Sequence, residues 1–312
     1  MPFTAKSGKF NASINTVEFG TGDKAVKIGG ENVFPLYSFD AAIENAPKVG
    51  IEITDFGMEH EPECIKKYYE GCATLADMAR KAASMEGVDF LSFRMEGGDP
   101  NGANKSTEEL IGELKEIADA VDLPLVVCGC KNVEKDAELF SKAAEALNGK
   151  NAVILSAKEE NYKTVGAAAG LAYKQIVGAE SAVDINLAKQ LNVLISQLGV
   201  DSKSVVMNVG SAAVGYGFEY VISTMDRVKA AALGQADAQL QMPIITPVAD
   251  EAWNVKEAMA SEDDMPEWGN QEERGIGMEV STAASVLACG SNAVILKHPT
   301  SVATISKLIK EM

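Results

Sequence analysis

After residue 48 the chain is punctuated by eight short apolar runs: VGIEI (49–53), VDFLSF (88–93), LVVCG (125–129), AVIL (152–155), QIVGA (175–179), SVVMNV (204–209), MPIIT (242–246) and NAVIL (292–296). Each is too short for a helix, and most are rich in β-branched residues. Apolar side chains fill both alternating sets of positions, which predicts strands buried on both faces, as in a parallel sheet. Helical periodicity occupies the intervals. Leu110, Leu114, Ile117 and Val121 share a face after the second run, as do Leu187, Leu191, Leu194, Ile195 and Leu198 after the fifth. Ser106 followed by Glu109 reads as a capping box. Repeated strand–helix units predict a (β/α)8 TIM barrel, with a doubly wound open sheet as the alternative. Ahead of it, INTVEFG and KAVKIGG, split by TGDK, read as an antiparallel hairpin. The expected organisation is a hairpin extension over 1–48 and a TIM-barrel domain over 49–312.

Composition narrows the partners. Hydrophobic residues make up 46% of 312 residues, enough for a sizeable core, and the net charge is -17. A surface that negative repels phosphate backbones and anionic headgroups, so neither nucleic acid nor a membrane is expected. The opening MPFTAKSGKF lacks an apolar leader core, and no run approaches the length of a membrane span; the expectation is a cytoplasmic protein. Five cysteines are too few and too scattered for a disulfide framework, and they lack the spacing of an iron–sulfur cluster.

A barrel places function on the loops at the carboxyl ends of its strands, here including 54–63, 94–105, 180–186, 210–219 and 247–274. Two histidines, His60 and His298, exclude a three-histidine zinc site. GGDPNGANKST lacks the Gly-Lys step of a phosphate loop, and Asp99 in it opposes a phosphate. Neither histidine has an Asp two residues earlier, so the D-x-H-x-x-G motif that supplies an axial imidazole to a corrinoid is absent. What remains is a face of neutral amides and a few carboxylates. Asn104, Asn161, Asn186 and Asn208 fall at strand ends, with Asp99 and Asp184 beside them. Such groups suit an amide-rimmed ligand or a pterin; they also cap helices. The segment NVGSAAVGYGFEY adds a loop with little side-chain bulk and two phenols. Loop 247–274 holds both tryptophans, Trp253 and Trp268, and is expected to be a docking surface rather than a lid.

The stretches GGDPNGANKS, VVCGCKNVEKD, ENYK, DINLAKQLNVLI, VGYGFEY, DEAW, ERGIGMEV and LKHP together resemble the small subunit of the corrinoid iron–sulfur protein, the acetyl-CoA decarbonylase/synthase delta subunit. They span roughly residues 50 to 300, in the same order. The resemblance implies a barrel paired with a larger subunit that carries the [4Fe-4S] cluster and the cobalamin domain. It implies cobalamin held at the subunit interface while methyl passes from methyltetrahydrofolate to acetyl-CoA synthase. It also implies contacts with the methyltetrahydrofolate methyltransferase and with acetyl-CoA synthase/CO dehydrogenase, and no catalysis by this chain alone. Gly215 and Gly217 would let backbone approach the macrocycle, with Tyr216 and Tyr220 against its amide rim. One departure stands out: Asn208-Val209-Gly210-Ser211 replaces an expected DPS-like stretch, so an amide stands where an acid would accept a proton.

Two rival readings follow from the same loops. A self-sufficient methyltransferase would bind the pterin with Asn161, Asp184 and Asn208. A Schiff-base lyase would use Lys297, provided that burial beside another cation lowers its pKa.

Overall fold

The structure, a computed structural model, describes residues 8–36, 41 and 43–311; the rest of the expected 1–48 extension lies outside them. Two short strands, β1 (Val17–Phe19) and β2 (Val26–Ile28), pair antiparallel as expected. The eight apolar runs become β3 (Lys48–Thr54), β4 (Phe90–Arg94), β5 (Leu125–Cys128), β6 (Val153–Ala157), β7 (Ile176–Glu180), β8 (Val205–Asn208), β9 (Ile245–Pro247) and β10 (Ala293–Leu296). All pair parallel, in the order β8-β7-β6-β5-β4-β3-β10-β9. A parallel bridge, Met207 to Ile244, joins β8 to the β9 side, and the Met207 N–H donates to the Pro243 carbonyl at 2.8 Å. The sheet therefore closes into a barrel, which removes the open-sheet alternative.

Helices lie between successive strands, among them Thr107–Ala120, Val133–Ala146, Ile185–Gln197, Phe218–Lys229 and Gln271–Ala288. Ser106 Oγ accepts from the Glu109 N–H at 3.1 Å, so the first of these begins where its cap predicts. Outward side chains such as Ile51, Leu91, Val127 and Val177 pack beneath the helices in one large core. Inward ones, including Phe90, Val126, Val153, Val206 and Ile295, form a second cluster inside the barrel. Among the described residues no helix is long and apolar enough to cross a membrane.

The hairpin closes the bottom of that interior. Val17, Phe19 and Ile28 belong to the inner cluster, and the Phe19 ring meets Phe90 edge-on at 5.6 Å. Phe90 fits because β3 carries Gly50 opposite it; a Cβ there would stand 2.1 Å from the ring. Backbone bonds seat the plug on segments that precede strands: the Gly20 N–H donates to the Asn151 carbonyl at 2.7 Å, and the Asn15 N–H to that of Gln241 at 2.6 Å. Lys229 adds a buried tie, donating to Glu31 Oε1 at 2.8 Å and Asn292 Oδ1 at 3.0 Å. Among the described residues, the barrel interior is therefore closed below and opens at its carboxyl end.

Phe19→Ala should leave a cavity under Phe90 and lower unfolding stability by about 3–5 kcal/mol. A denaturant titration checks this; an unchanged midpoint would show that the hairpin is not part of the core.

Candidate functional site

At the carboxyl end the barrel interior turns from apolar to charged. Glu52 on β3 and Arg94, the last residue of β4, both point inward. Glu52 Oε2 accepts from Arg94 Nε at 3.1 Å and lies 3.0 Å from Nη2. The side chains are 1% and 8% exposed, so this is a buried ion pair, and Glu52 Oε1 is left with no hydrogen-bond partner. Burial opposes the guanidinium charge, but Glu52, Cys128 and Asp250 together outweigh it and hold Arg94 well above its ordinary value. Removing one member of such a pair costs about 3–5 kcal/mol, because the other charge stays buried.

The remaining half of the guanidinium faces the mouth. Its Nη1 is 3.8 Å from Asp250 Oδ2, too far for a hydrogen bond. Asp250 also receives Lys131 Nζ at 2.5 Å and Asn254 Nδ2 at 3.1 Å. Burial would raise the Asp250 carboxyl, but Arg94 and then Lys131 outweigh that and keep it below the usual carboxylate range. These three charged residues stand on the seam between two cavities, of about 320 Å³ and 570 Å³. The smaller is walled by Asn208, Ser156, Glu180 and Ser211; the larger by Phe56, His60, Glu96 and Asp99.

Lys297, next after β10, binds Glu61 Oε1 at 2.8 Å. Burial alone would lower its ammonium, but Glu61 and Glu52 outweigh it and raise the pKa. The lyase reading needed the opposite shift, so its unprotonated amine is not available. Buried Glu279 accepts from the Lys297 N–H at 2.5 Å and the His298 N–H at 3.2 Å, fixing the backbone after β10. His298 is fully buried, stacked on Trp253 at 5.8 Å and edge-on to Tyr68 at 5.1 Å. Its Nδ1 accepts from the Thr300 N–H at 3.1 Å, which leaves the proton of the neutral ring on Nε2, 3.2 Å from Glu272 Oε1.

Trp253 does not form part of the docking surface expected of loop 247–274. It is 2% exposed, and its indole fills the space left by Gly275, where a Cβ would lie 2.2 Å away. Trp268 is partly exposed between Lys256 and Arg274, whose charges sit 5.3 and 5.7 Å from its ring. Arg274 in turn donates to the Ala260 carbonyl at 2.7 Å, so the long loop is folded back on itself.

The residues singled out in the sequence fall into three places. Asn208 and Asp99 line the two cavities. Asn208 Nδ2 donates to Ser156 Oγ at 3.0 Å and its Oδ1 accepts from the Gly210 N–H at 3.1 Å, while Asp99 Oδ1 accepts from the Asn101 N–H at 3.0 Å. A second group serves local structure. Asn161 accepts from the Lys158 N–H at 2.8 Å and donates to the Val133 carbonyl at 3.1 Å. Asp184 caps its helix through the Asn186 and Leu187 N–H groups, the Asn186 side chain is exposed, and Asn104 is exposed in a left-handed turn at φ 52°. The third group forms the rim. Gly215 (φ 90°) and Gly217 (φ 78°) shape the turn that presents Tyr216 and Tyr220, 50% and 66% exposed. Tyr216 OH donates to Glu257 Oε2 at 2.6 Å, and Thr224 Oγ1 donates to the carbonyls of Tyr220 and Val183, so the loops after β7, β8 and β9 adjoin. Val183 and Met259 are also exposed, on the loops after β7 and β9.

Sequence reasoning passed over Glu52, Arg94, Lys131 and Asp250. The signal was present: a Glu inside VGIEI and an Arg closing LSFR are charges within otherwise buried strands. Burial pushes the Cys128 thiol up to about 11 and that of Cys130 to about 12, which disfavours the thiolate at both. Among the described residues, no group of three or more His, Cys, Asp or Glu could hold a metal ion.

The family model for the CO dehydrogenase/acetyl-CoA synthase delta subunit matches residues 16–297. The acetyl-CoA decarbonylase/synthase complex subunit delta of Methanocaldococcus jannaschii is 30% identical over 97% of this chain and 75% of its own length. That of Methanopyrus kandleri is 32% identical over 94% of this chain and 72% of its own. Subunit delta 1 of Methanosarcina thermophila is 29% identical, covering 94% of this chain and 67% of that protein. Among solved structures, dihydropteroate synthase from Thermus thermophilus in complex with 4-aminobenzoate superposes with a TM-score of 0.55 at 13% identity, over 95% of this chain and 99% of that one. The Xanthomonas albilineans enzyme gives 0.56 at 11% identity, over 95% and 98%. At such identity the likeness concerns the barrel fold alone.

Burial lowers the His298 pKa, with Glu272 acting against it. The unfolded chain therefore takes up this proton first as pH falls; the contribution is full above about 6.5 and is lost towards the folded value. Urea titrations at about pH 7.5, 6.5 and 5.5 should show the parent's advantage over His298→Gln shrinking with acidity. A constant gap would contradict the neutral buried ring.

Proposed function

The chain belongs to the CO dehydrogenase/acetyl-CoA synthase delta-subunit family, and from that membership we propose that it is the barrel subunit of a corrinoid methyl carrier, helping to hold cobalamin at an interface with a larger subunit. That larger subunit would carry the cobalamin domain and the [4Fe-4S] cluster. Methyltetrahydrofolate methyltransferase and acetyl-CoA synthase/CO dehydrogenase would be the donor-side and acceptor-side partners. In this reading residues 49–312 act as the barrel unit and 1–48 as the extension that stoppers it.

The observation that carries the proposal is the contrast between mouth and rim. Inside the mouth, charges are spent on one another: Glu52 with Arg94, Asp250 with Lys131, Glu61 with Lys297. Around it, Val183, Tyr216, Tyr220 and Met259 stay exposed on adjoining loops, an uncommon cost for a surface facing only water. A flat macrocycle with an amide edge fits such a rim, stacking on apolar side chains and bonding to a phenol. Cavities of about 320 and 570 Å³ suit a single small ligand rather than an entire cobalamin, so this chain would supply one face and its partner the rest. When bound, the cobalt of the corrinoid supplies the methyl-carrying nucleophile. Tyr216, anchored to Glu257, would hold the edge of the ring, and Tyr220 would cover it from solvent. Asn208, already committed to Ser156 and Gly210, would act as a neutral wall and move no proton.

A pterin held by this chain itself is the second reading. It is favoured by the small cavity under Asn208, whose size suits one bicyclic ring.

One preparation separates the two. The chain is co-expressed with a corrinoid-carrying large subunit, with and without Tyr216→Ser and Tyr220→Ser. Both tyrosines are exposed, so melting temperature should hold. Corrinoid absorbance per heterodimer should fall roughly five- to tenfold in the double variant, the scale of losing aromatic anchors at a contact. Undiminished corrinoid would refute the rim assignment, and tight methyltetrahydrofolate binding by the isolated chain would favour the pterin reading. Gly215→Val is a poorer probe, because at φ 90° a Val strains the turn whatever it faces.

A further inference from the structure

Arg94 and Asp250 stand at the seam of the two cavities in an arrangement that the ion pairing does not exhaust. The guanidinium is immobilised from behind by Glu52, through Nε at 3.1 Å and Nη2 at 3.0 Å. Its Nη1 makes only the 3.8 Å approach to Asp250 Oδ2. The residue is 6% exposed yet lines both cavities, so the side of the guanidinium turned away from Glu52 is open to them. Asp250 is held from its other side, Oδ1 accepting from Asn254 Nδ2 at 3.1 Å. What occupies Oδ2 is Lys131 Nζ at 2.5 Å, from a side chain that is 59% exposed and also lies 4.0 Å from Glu251. The pair is thus a fixed donor next to a fixed acceptor, with a solvated, readily displaced lysine across the acceptor.

We propose that Arg94 and Asp250 form a reader for the amide edge of a ligand, with Lys131 as a plug that leaves when the ligand arrives. Charge decides the ligand class. A carboxylate or phosphate would satisfy Arg94 but face Asp250; an ammonium would satisfy Asp250 but face Arg94. Either would set one of the two fixed groups against a like charge. A neutral group with one acceptor and one donor side by side satisfies both without a like-charge contact. Its carbonyl accepts from Nη1 while its N–H donates to Oδ2, and the Lys131 ammonium returns to water, where an exposed ion pair is worth little. Primary carboxamides at a corrin edge and the lactam of a pterin share this chemistry.

The inference rests on the mouth being a ligand face, and its test is arranged to fail separately. Lys131→Ala and Asp250→Ala are made in the heterodimer with the corrinoid-carrying subunit. Cobalamin retention and methyltetrahydrofolate binding are measured on each. For the ligand that uses the reader, Lys131→Ala should tighten binding roughly two- to fivefold by removing the plug. Asp250→Ala should weaken it more than about tenfold, the scale of a lost charge-assisted hydrogen bond. Asp250→Asn, which keeps the shape and an acceptor oxygen, should fall between. A response confined to cobalamin identifies the corrin carboxamide, and one confined to the folate identifies the pterin lactam. If corrinoid is retained but neither ligand responds to Lys131→Ala or Asp250→Ala, the reader is wrong while the carrier role stands. Failure of parent and Lys131→Ala alike to bind either ligand also overturns it.

Discussion

A carboxylate and a guanidinium enclosed in the barrel, Glu52 and Arg94, organise the functional end of this protein. Two ions out of water are tolerable only if each is held close to the other, and the parallel register of β3 and β4 does this by placing Thr54 beside Arg94 and Glu52 beside Ser92. Their demands spread outward. Arg94 has more donors than Glu52 can use, so Asp250 is drawn to its free side and Lys131 to Asp250. On the other flank Lys297, within the field of Glu52, binds Glu61. The charged ring at the mouth is therefore one coupled system, not a collection of separate pairs.

The two ends of the barrel answer different physical problems. At the bottom, apolar side chains from seven of the eight strands converge on an opening that would admit water. Phe19 and Val17 close it by the ordinary hydrophobic route, with Gly50 making room for the aromatic pair. At the top the interior is polar and cannot be sealed with aromatic rings, so it is compensated by counter-charges and stays open. An apolar rim around a charge-balanced mouth resembles the anatomy of an interface more than that of a self-contained catalytic pocket. The loop after β9 supports this division: its first half buries Trp253 against His298, and its second half ties Arg274 and Trp268 into a rigid shoulder.

Much of this was legible before any coordinates. β-branched runs with both faces apolar can be buried only in a parallel sheet, and eight of them alternating with amphipathic segments leave little besides a closed barrel. The hairpin followed from the alternation in INTVEFG and KAVKIGG. Identification of the family came from ordered motifs spread over most of the chain. Single polar residues were less legible. An Asn at a strand end can cap, hold a turn or face a ligand: Asn161 ties its own loop to Val133, Asn104 sits in a turn, and Asn208 lines a cavity.

The amino-acid sequence by itself determined which segments become strands and where helices begin, because these follow from periodicity and local hydrogen bonding. Only the tertiary structure decided which charges meet. Glu52 and Arg94 are 42 residues apart, Arg94 and Asp250 more than three times that, and no local rule joins them. It also decided that Trp253 is core and that Tyr216 and Tyr220 are surface, since burial depends on what packs above a residue. Position along the chain sets the first kind of property; closure of the barrel, which brings the ends of all eight strands onto one small circle, sets the second.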